Sequence, residues 1–190
     1  MRKIFIVRHG QDTDNAAGLL NGHRDTELTE LGKRQALELS EKIKAHRIDV
    51  VYASPLKRAY ETARIIADAL SIDEVVADHH LIERDFGILT GKRVDEISAY
   101  ATKTFQGDKV NYFIEAEGAE DFPALLKRAD TILKEISQRH PEQNILIVTH
   151  GDLGKMIRAA YHNWTWEDAL KTPYFANTGL LELAEKDVIE

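Results

Sequence analysis

Four short segments of this 190-residue chain carry residue types that could handle a phosphoryl group. Arg8-His9-Gly10-Gln11 follows directly on the apolar run Ile4-Phe5-Ile6-Val7, which reads as a buried strand. A second apolar run, Ile145-Leu146-Ile147-Val148-Thr149, ends in His150-Gly151. In a parallel sheet the carboxyl ends of both strands lie on one edge, so His9 and His150 are expected to face each other there. Phosphoryl transfer uses such a pair: one neutral imidazole attacks phosphorus with a free lone pair, and a second donates hydrogen bonds to the phosphoryl oxygens.

The other two segments supply charge and a proton. Val50-Val51-Tyr52-Ala53 reads as a strand, and Ser54-Pro55 reads as the N-cap and first position of a helix that places Arg58 in its first turn. The unpaired amides of that helix start, together with a guanidinium, would attract an anion. Leu81-Ile82-Glu83-Arg84-Asp85-Phe86-Gly87 offers a loop carboxyl group to protonate a departing oxygen. Glu83 is the natural candidate and Asp85 its competitor. The remaining histidines, 23, 46, 79, 80, 140 and 162, fall in or beside loops and helix ends, where a solvated imidazole is ordinary. His79-His80 near Asp73, Glu74 and Asp78 does not read as a metal site, because adjacent residues rarely chelate from one face. Trp164 and Trp166 read as packing anchors.

Positioning these groups requires strands that alternate with helices. Thr29 caps a helix to about His46 with Leu31, Ala36, Leu39 and Ile43 on one face. The helix after Ser54 buries Leu56, Ala59, Ala63, Ile66, Ala67 and Leu70. Val75-Val76-Ala77 is a short strand. Residues 92–102 and 121–138 look helical, the second with a stripe of Leu125, Ala129, Ile132, Leu133 and Ile136. A helix from about Asp152 to His162 and a strand near 180–183 complete the chain. The alternation implies an α/β fold, a three-layer α/β/α sandwich with a largely parallel central sheet. Residues 105–118 fit no period and read as a loop over the site that helps choose the substrate.

Composition narrows the class. A length of 190 residues with 43% hydrophobic content suits one domain with a substantial core. Residues 1–190 are read as that domain, with about 84–120 as a cap or substrate-selecting insertion within it. The absence of cysteine excludes disulfides and thiol catalysis. A formal net charge of -7 argues against nucleic acid as a partner, while a local cationic pocket still admits a small anion. Met1-Arg2-Lys3 leads straight into a strand, and no apolar stretch approaches the ~20 residues that cross a bilayer. The expectation is a cytoplasmic enzyme with no membrane partner, and a homodimer is left open.

Jointly, the segments resemble the histidine phosphatase superfamily, also called phosphoglycerate mutase-like. The likeness rests on Arg8-His9-Gly10 with Asn15 six residues after His9, Gly22 to Ala36, Ser54 to Ala63, Glu83 to Gly91 and Thr149-His150-Gly151. It implies a phosphohistidine on His9, phosphate clamps at Arg8 and Arg58, His150 as the second imidazole, and Glu83 as the proton donor. Asn15 and Gly151 are implied in phosphate binding, and Asn177 as a supporting residue. No metal and no other cofactor are implied.

Three residues depart from the mutase pattern, which generally has Ser, Trp and Tyr at the positions of Asp12, Asp14 and Phe86. The chain is also shorter than a typical mutase and lacks the paired Arg of its cap segment. The expectation is therefore hydrolysis of a small phosphorylated metabolite, with bisphosphoglycerate-dependent phosphoglycerate mutation as the alternative. A non-catalytic phospholigand-binding module is a second alternative. Asp12 is expected to raise the His9 pKa, and Thr13 to take over the hydroxyl role of the preceding position.

Overall fold

The computed structural model describes residues 2–184 and 188–189. A six-stranded sheet is ordered β3-β2-β6-β1-β7-β8, from β1 (Ile4–Arg8), β2 (Val50–Ala53), β3 (Val75–Ala77), β6 (Ile145–Thr149), β7 (Leu180–Leu183) and β8 (Val188–Ile189). β1, β2, β3 and β6 are parallel, and β7 and β8 add antiparallel pairings at one side. This is the expected three-layer α/β/α arrangement.

Alternation along the strands assigns each side chain to one of two cores. Ile4, Ile6, Tyr52, Ile145 and Ile147 pack with α5 (Phe122–Arg139) and α6 (Gly151–His162). Phe5, Val7, Val51, Ala53, Leu146 and Val148 pack instead with α2 (Glu30–Ile43) and α3 (Lys57–Ala69). A sheet covered on both faces explains why β1 and β6 read as unbroken apolar runs. The expected stripe of α5 is wholly buried, whereas Leu31 of α2 is exposed.

Local chemistry sets several helix starts. Thr29 Oγ1 accepts from the Gly32 amide and caps α2, and Asp121 accepts from the Ala124 amide to cap α5. Ser54 does not cap α3. That helix starts at Lys57, with Leu56 in the N-cap position, and the Ser54 hydroxyl accepts from the Leu56 amide at 3.3 Å and meets His150 Nε2 at 2.8 Å. Arg58 nevertheless stays in the first turn. α2 approaches the loop after β1 so closely that a Cβ on Gly10 would stand 2.5 Å from the Gly32 carbonyl oxygen, and one on Gly32 would stand 2.1 Å from that of Gln11. Only glycine permits this contact at either position.

Two expectations fail between β3 and α5. Residues 92–102 form no full helix: a 3-10 turn at 94–96 leads into the single turn α4 (Ile97–Tyr100). Residues 105–118 are not irregular, for β4 (Lys103–Gln106) and β5 (Asn111–Glu115) pair as an antiparallel hairpin. Its period is hidden because β5 is covered on both sides. Tyr112 and Ile114 join the α5 core, while Phe113 joins Phe86, Leu89 and Ile97 in a third, smaller core. The short helices α1 (Thr13–Ala17) and α7 (Trp166–Lys171) were not foreseen. Trp166 stacks on Phe122 at 5.5 Å and Trp164 on His162 at 4.3 Å, the packing roles expected of them.

Candidate active site

Because β1 and β6 pair in register from Ile4↔Ile145 to Arg8↔Thr149, His9 and His150 leave the same sheet edge side by side. Their rings lie edge to face with centroids 5.1 Å apart. His9 Nδ1 lies 2.8 Å from the Gly10 carbonyl oxygen, and Arg58 Nε donates to His9 Nε2 at 3.3 Å. Those partners select the tautomer with the proton on Nδ1 and a lone pair on Nε2. Burial holds the His9 pKa well below its ordinary value, with help from the Arg58 and Arg8 charges. His150 is likewise held neutral, by burial first and then by Arg58.

The cations are fixed by backbone carbonyls. Arg58 is buried, and its terminal nitrogens donate to Arg24 O at 2.6 Å and Gly22 O at 2.9 Å. Arg8 Nη1 donates to Tyr174 Oη and to Phe175 O at 2.9 Å. Among the described residues, Arg8 Nε and His150 Nδ1 are buried side-chain nitrogens with no hydrogen-bond partner in the protein. Such groups are rare, because an unmade buried hydrogen bond is costly.

Glu83 sits at the N-terminus of α6. Its carboxyl oxygens accept from the amides of Arg84 at 2.9 Å, Leu153 at 3.2 Å and Asp152 at 3.3 Å. Burial, and next the Asp152 charge, raise its pKa, against the opposing pull of the Arg84 and Leu153 amides and Arg58. Asp85 stands apart as a half-buried loop residue that accepts from the Gly87 amide, and of the two acids only Glu83 lines the cavity shared with His9 and Arg58.

Arg8, His9, Arg58, Glu83, Gly151 and Asn15 line one cavity of about 310 Å³. Asn15 belongs to a chain of side-chain amides. Asn177 Nδ2 donates to Asn15 Oδ1 at 3.1 Å and to His9 O at 3.0 Å, and Asn15 Nδ2 donates to Asn21 Oδ1 at 3.1 Å. Asn21 Nδ2 in turn donates to both oxygens of Asp12. Asn177 therefore has the supporting place expected of it. Asn21 carried no sequence signal beyond its nearness to the Gly22 to Ala36 segment, and Ser54, read as a helix cap, gave no sign of its bond to His150.

Asp12 behaves differently from expectation. Its fully buried carboxylate caps α1 through the Asn15 amide, lies 3.3 Å from Arg58 Nε and 3.7 Å from His9 Nδ1. Its charge is spent against Arg58, and the His9 pKa falls where the sequence suggested a rise. Asp14 is paired with Arg24 at 2.6 Å. Thr13 is exposed and does not line the cavity, so it takes over no role there. His23 is no bare loop residue, since its Nε2 lies 2.8 Å from Glu83 O. His140 meets Tyr52 Oη at 2.9 Å, and His46 packs on Phe5.

A model of the histidine phosphatase superfamily (branch 1) matches residues 4–187. The chain belongs to this superfamily. The histidine phosphatase is 37% identical over 163 residues to phosphoglycerate mutase-like protein 4 of Arabidopsis thaliana, covering 84% of this chain and 69% of that one. It is 34% identical over 151 residues to phosphoserine phosphatase 1 of Hydrogenobacter thermophilus, covering 79% and 71%. Among solved structures, Bacillus stearothermophilus YhfR superposes with a TM-score of 0.81 at 26% identity, over 96% of this chain and 90% of that one. The histidine phosphatase has no described helix long and apolar enough to cross a membrane.

Proposed function

We propose that this histidine phosphatase hydrolyses a small phosphomonoester without a metal ion, through a phosphohistidine on His9. The observation that carries this reading is the neutral, buried His9 imidazole, whose Nε2 lone pair meets Arg58 in a cavity shared with Glu83. The phosphate would lie among Arg8, Arg58 and His150, where Arg8 Nε and His150 Nδ1 find the acceptors they lack. His9 Nε2 forms a bond to phosphorus as the ester P–O bond breaks. Glu83 gives its proton to the departing oxygen. A water then attacks phosphorus and gives a proton back to Glu83, and the N–P bond breaks to release phosphate and neutral His9. Charge on the transferring group is offset by the guanidinium groups and imidazole N–H donors, the electrostatic work a metal does elsewhere.

In this reading residues 84–120 form the cap that meets the alcohol part of the ester. The segment is pinned at both ends by the Phe86–Ala119 bridge and the Glu120 amide to Asp85 O. Phosphoryl return to the alcohol, as in a mutase, requires the same first step and is distinguished by product.

The test is phosphate release from a panel of phosphomonoesters in EDTA, comparing the native chain with His9→Ala. Release by the native chain alone, with label from radioactive substrate trapped on protein in an acid-quenched reaction, is the expected result. Release that needs added divalent metal, or that survives His9→Ala, refutes the proposal.

A further inference from the structure

The cavity extends well past the phosphate-handling residues, and its far part decides which alcohol can follow the phosphate in. Leu19, Leu20, Val94, Ile97, Val110 and Phe113 line it there, with the uncharged polar side chains of Asn21 and Asn111 beside them. The wall is built by backbone pairing. Leu20 N donates to Lys92 O, Gly91 N to Leu20 O and Val94 N to Gly18 O, so the 18–20 and 91–94 segments form one ridge with apolar side chains along the cavity. Val94 is 50% exposed at that ridge, an apolar side chain left facing solvent at the mouth.

Every cation along the cavity is already committed. Lys155 Nζ has three donors, and it is met by Thr172 O at 2.8 Å, Thr172 Oγ1 at 2.9 Å, Pro173 O at 3.0 Å and Ala169 O at 3.3 Å. The Arg84 guanidinium, whose side chain is 1% exposed, donates to Asp152 Oδ2 at 2.8 Å and lies over the rings of Phe113, 3.8 Å from its centroid, and Phe122, 4.2 Å from its centroid. Arg8 and Arg58 serve the phosphate. Asp152 itself lines the cavity, where its carboxylate offsets the Arg84 charge. A carboxylate on the alcohol would therefore find no free cation there to offset its desolvation.

We infer that this enzyme selects phosphomonoesters whose alcohol is uncharged, and discriminates against alcohols that bear a carboxylate. The inference rests on the hydrolytic reading of the site but makes its own claim about the far wall. Phe86, which also lines the cavity, packs edge to face on Phe113 at 5.1 Å.

The test compares 4-carbamoylphenyl phosphate with 4-carboxyphenyl phosphate, two esters of nearly the same shape that differ in charge. The native chain is expected to favour the amide in kcat/KM by about ten- to a hundredfold, the range for a buried charged group left without a partner. His9→Ala is expected to bind the amide more tightly by calorimetry. Val94→Lys places a cation at the mouth and is expected to cut the discrimination several-fold by raising activity on the carboxylate ester. Equal or preferred use of the carboxylate ester by the native chain overturns the inference and leaves hydrolysis standing. Absence of hydrolysis with the binding preference intact overturns the hydrolytic reading and supports the selectivity of the wall. Equal binding by His9→Ala overturns the selectivity whatever the rate.

Discussion

Asp12→Asn isolates the carboxylate that the sequence placed beside the nucleophile. In the folded chain one Asp12 oxygen accepts from the Asn15 amide at 2.7 Å and from Asn21 Nδ2 at 2.9 Å. The other accepts from Asn21 Nδ2 at 2.8 Å and faces Arg58 Nε at 3.3 Å. An asparagine has one acceptor oxygen, so whichever way it turns, its amide group confronts a donor. Removing one partner of a buried ion pair costs about 3–5 kcal/mol. Arg58 keeps the carbonyls of Gly22 and Arg24, which places this case near the lower end, about 3 kcal/mol. In a domain of this size that lowers Tm by roughly 6–12 °C. Urea denaturation at pH 7.5 measures it directly.

The variant also leaves the Arg58 charge uncompensated, so inorganic phosphate is expected to inhibit several-fold more strongly. The acid limb of kcat/KM should stay where it is, because burial and the two arginines, not Asp12, set the His9 pKa. A loss of less than about 1 kcal/mol with unchanged phosphate inhibition would refute the reasoning that this pair carries energy. A shift of the acid limb to lower pH would restore the idea that Asp12 holds His9 protonated.

Two further outcomes follow from the titrating groups. Glu83→Gln is expected to lower kcat on an alkyl phosphate by about 10²–10⁴, yet to show a burst of one 4-nitrophenol per enzyme from 4-nitrophenyl phosphate before a slow steady state. Equal losses on both esters with no burst would remove Glu83 from proton donation. The folded His9 and His150 pKa values lie below the ordinary value, so both rings should remain neutral at pH 6 by nuclear magnetic resonance. Since the unfolded chain then binds more protons, stability should fall as pH drops below about 6.5 and through the folded values. Titration of His9 at or above pH 6.5 would contradict the burial argument.

Much of the active site was legible because its residues end strongly patterned elements. β1 and β6 are apolar runs closed by His-Gly, and parallel pairing brings such ends together whatever separates them in sequence. The stripe of α5 and the Thr29 cap were equally readable. The β4-β5 hairpin was not, since Tyr112, Phe113 and Ile114 in succession erase the two-residue period when opposite faces meet different cores. The Ser54 cap misled for a related reason. A hydroxyl suited to an N-cap instead holds the Leu56 amide just ahead of the helix and also meets His150, a residue 96 positions away.

The sequence by itself determined the residue types of the chemistry, the strands and helices that deliver them, and the family, because those depend on local pattern and order. Only the tertiary structure decided the sign of the His9 shift, the pairing of Asp12 with Arg58, the pairing of Arg84 with Asp152 and the capture of Lys155 by backbone carbonyls. Electrostatic effects depend on distance and on the exclusion of water, and both are set by which residues meet across the folded chain rather than by which are neighbours along it.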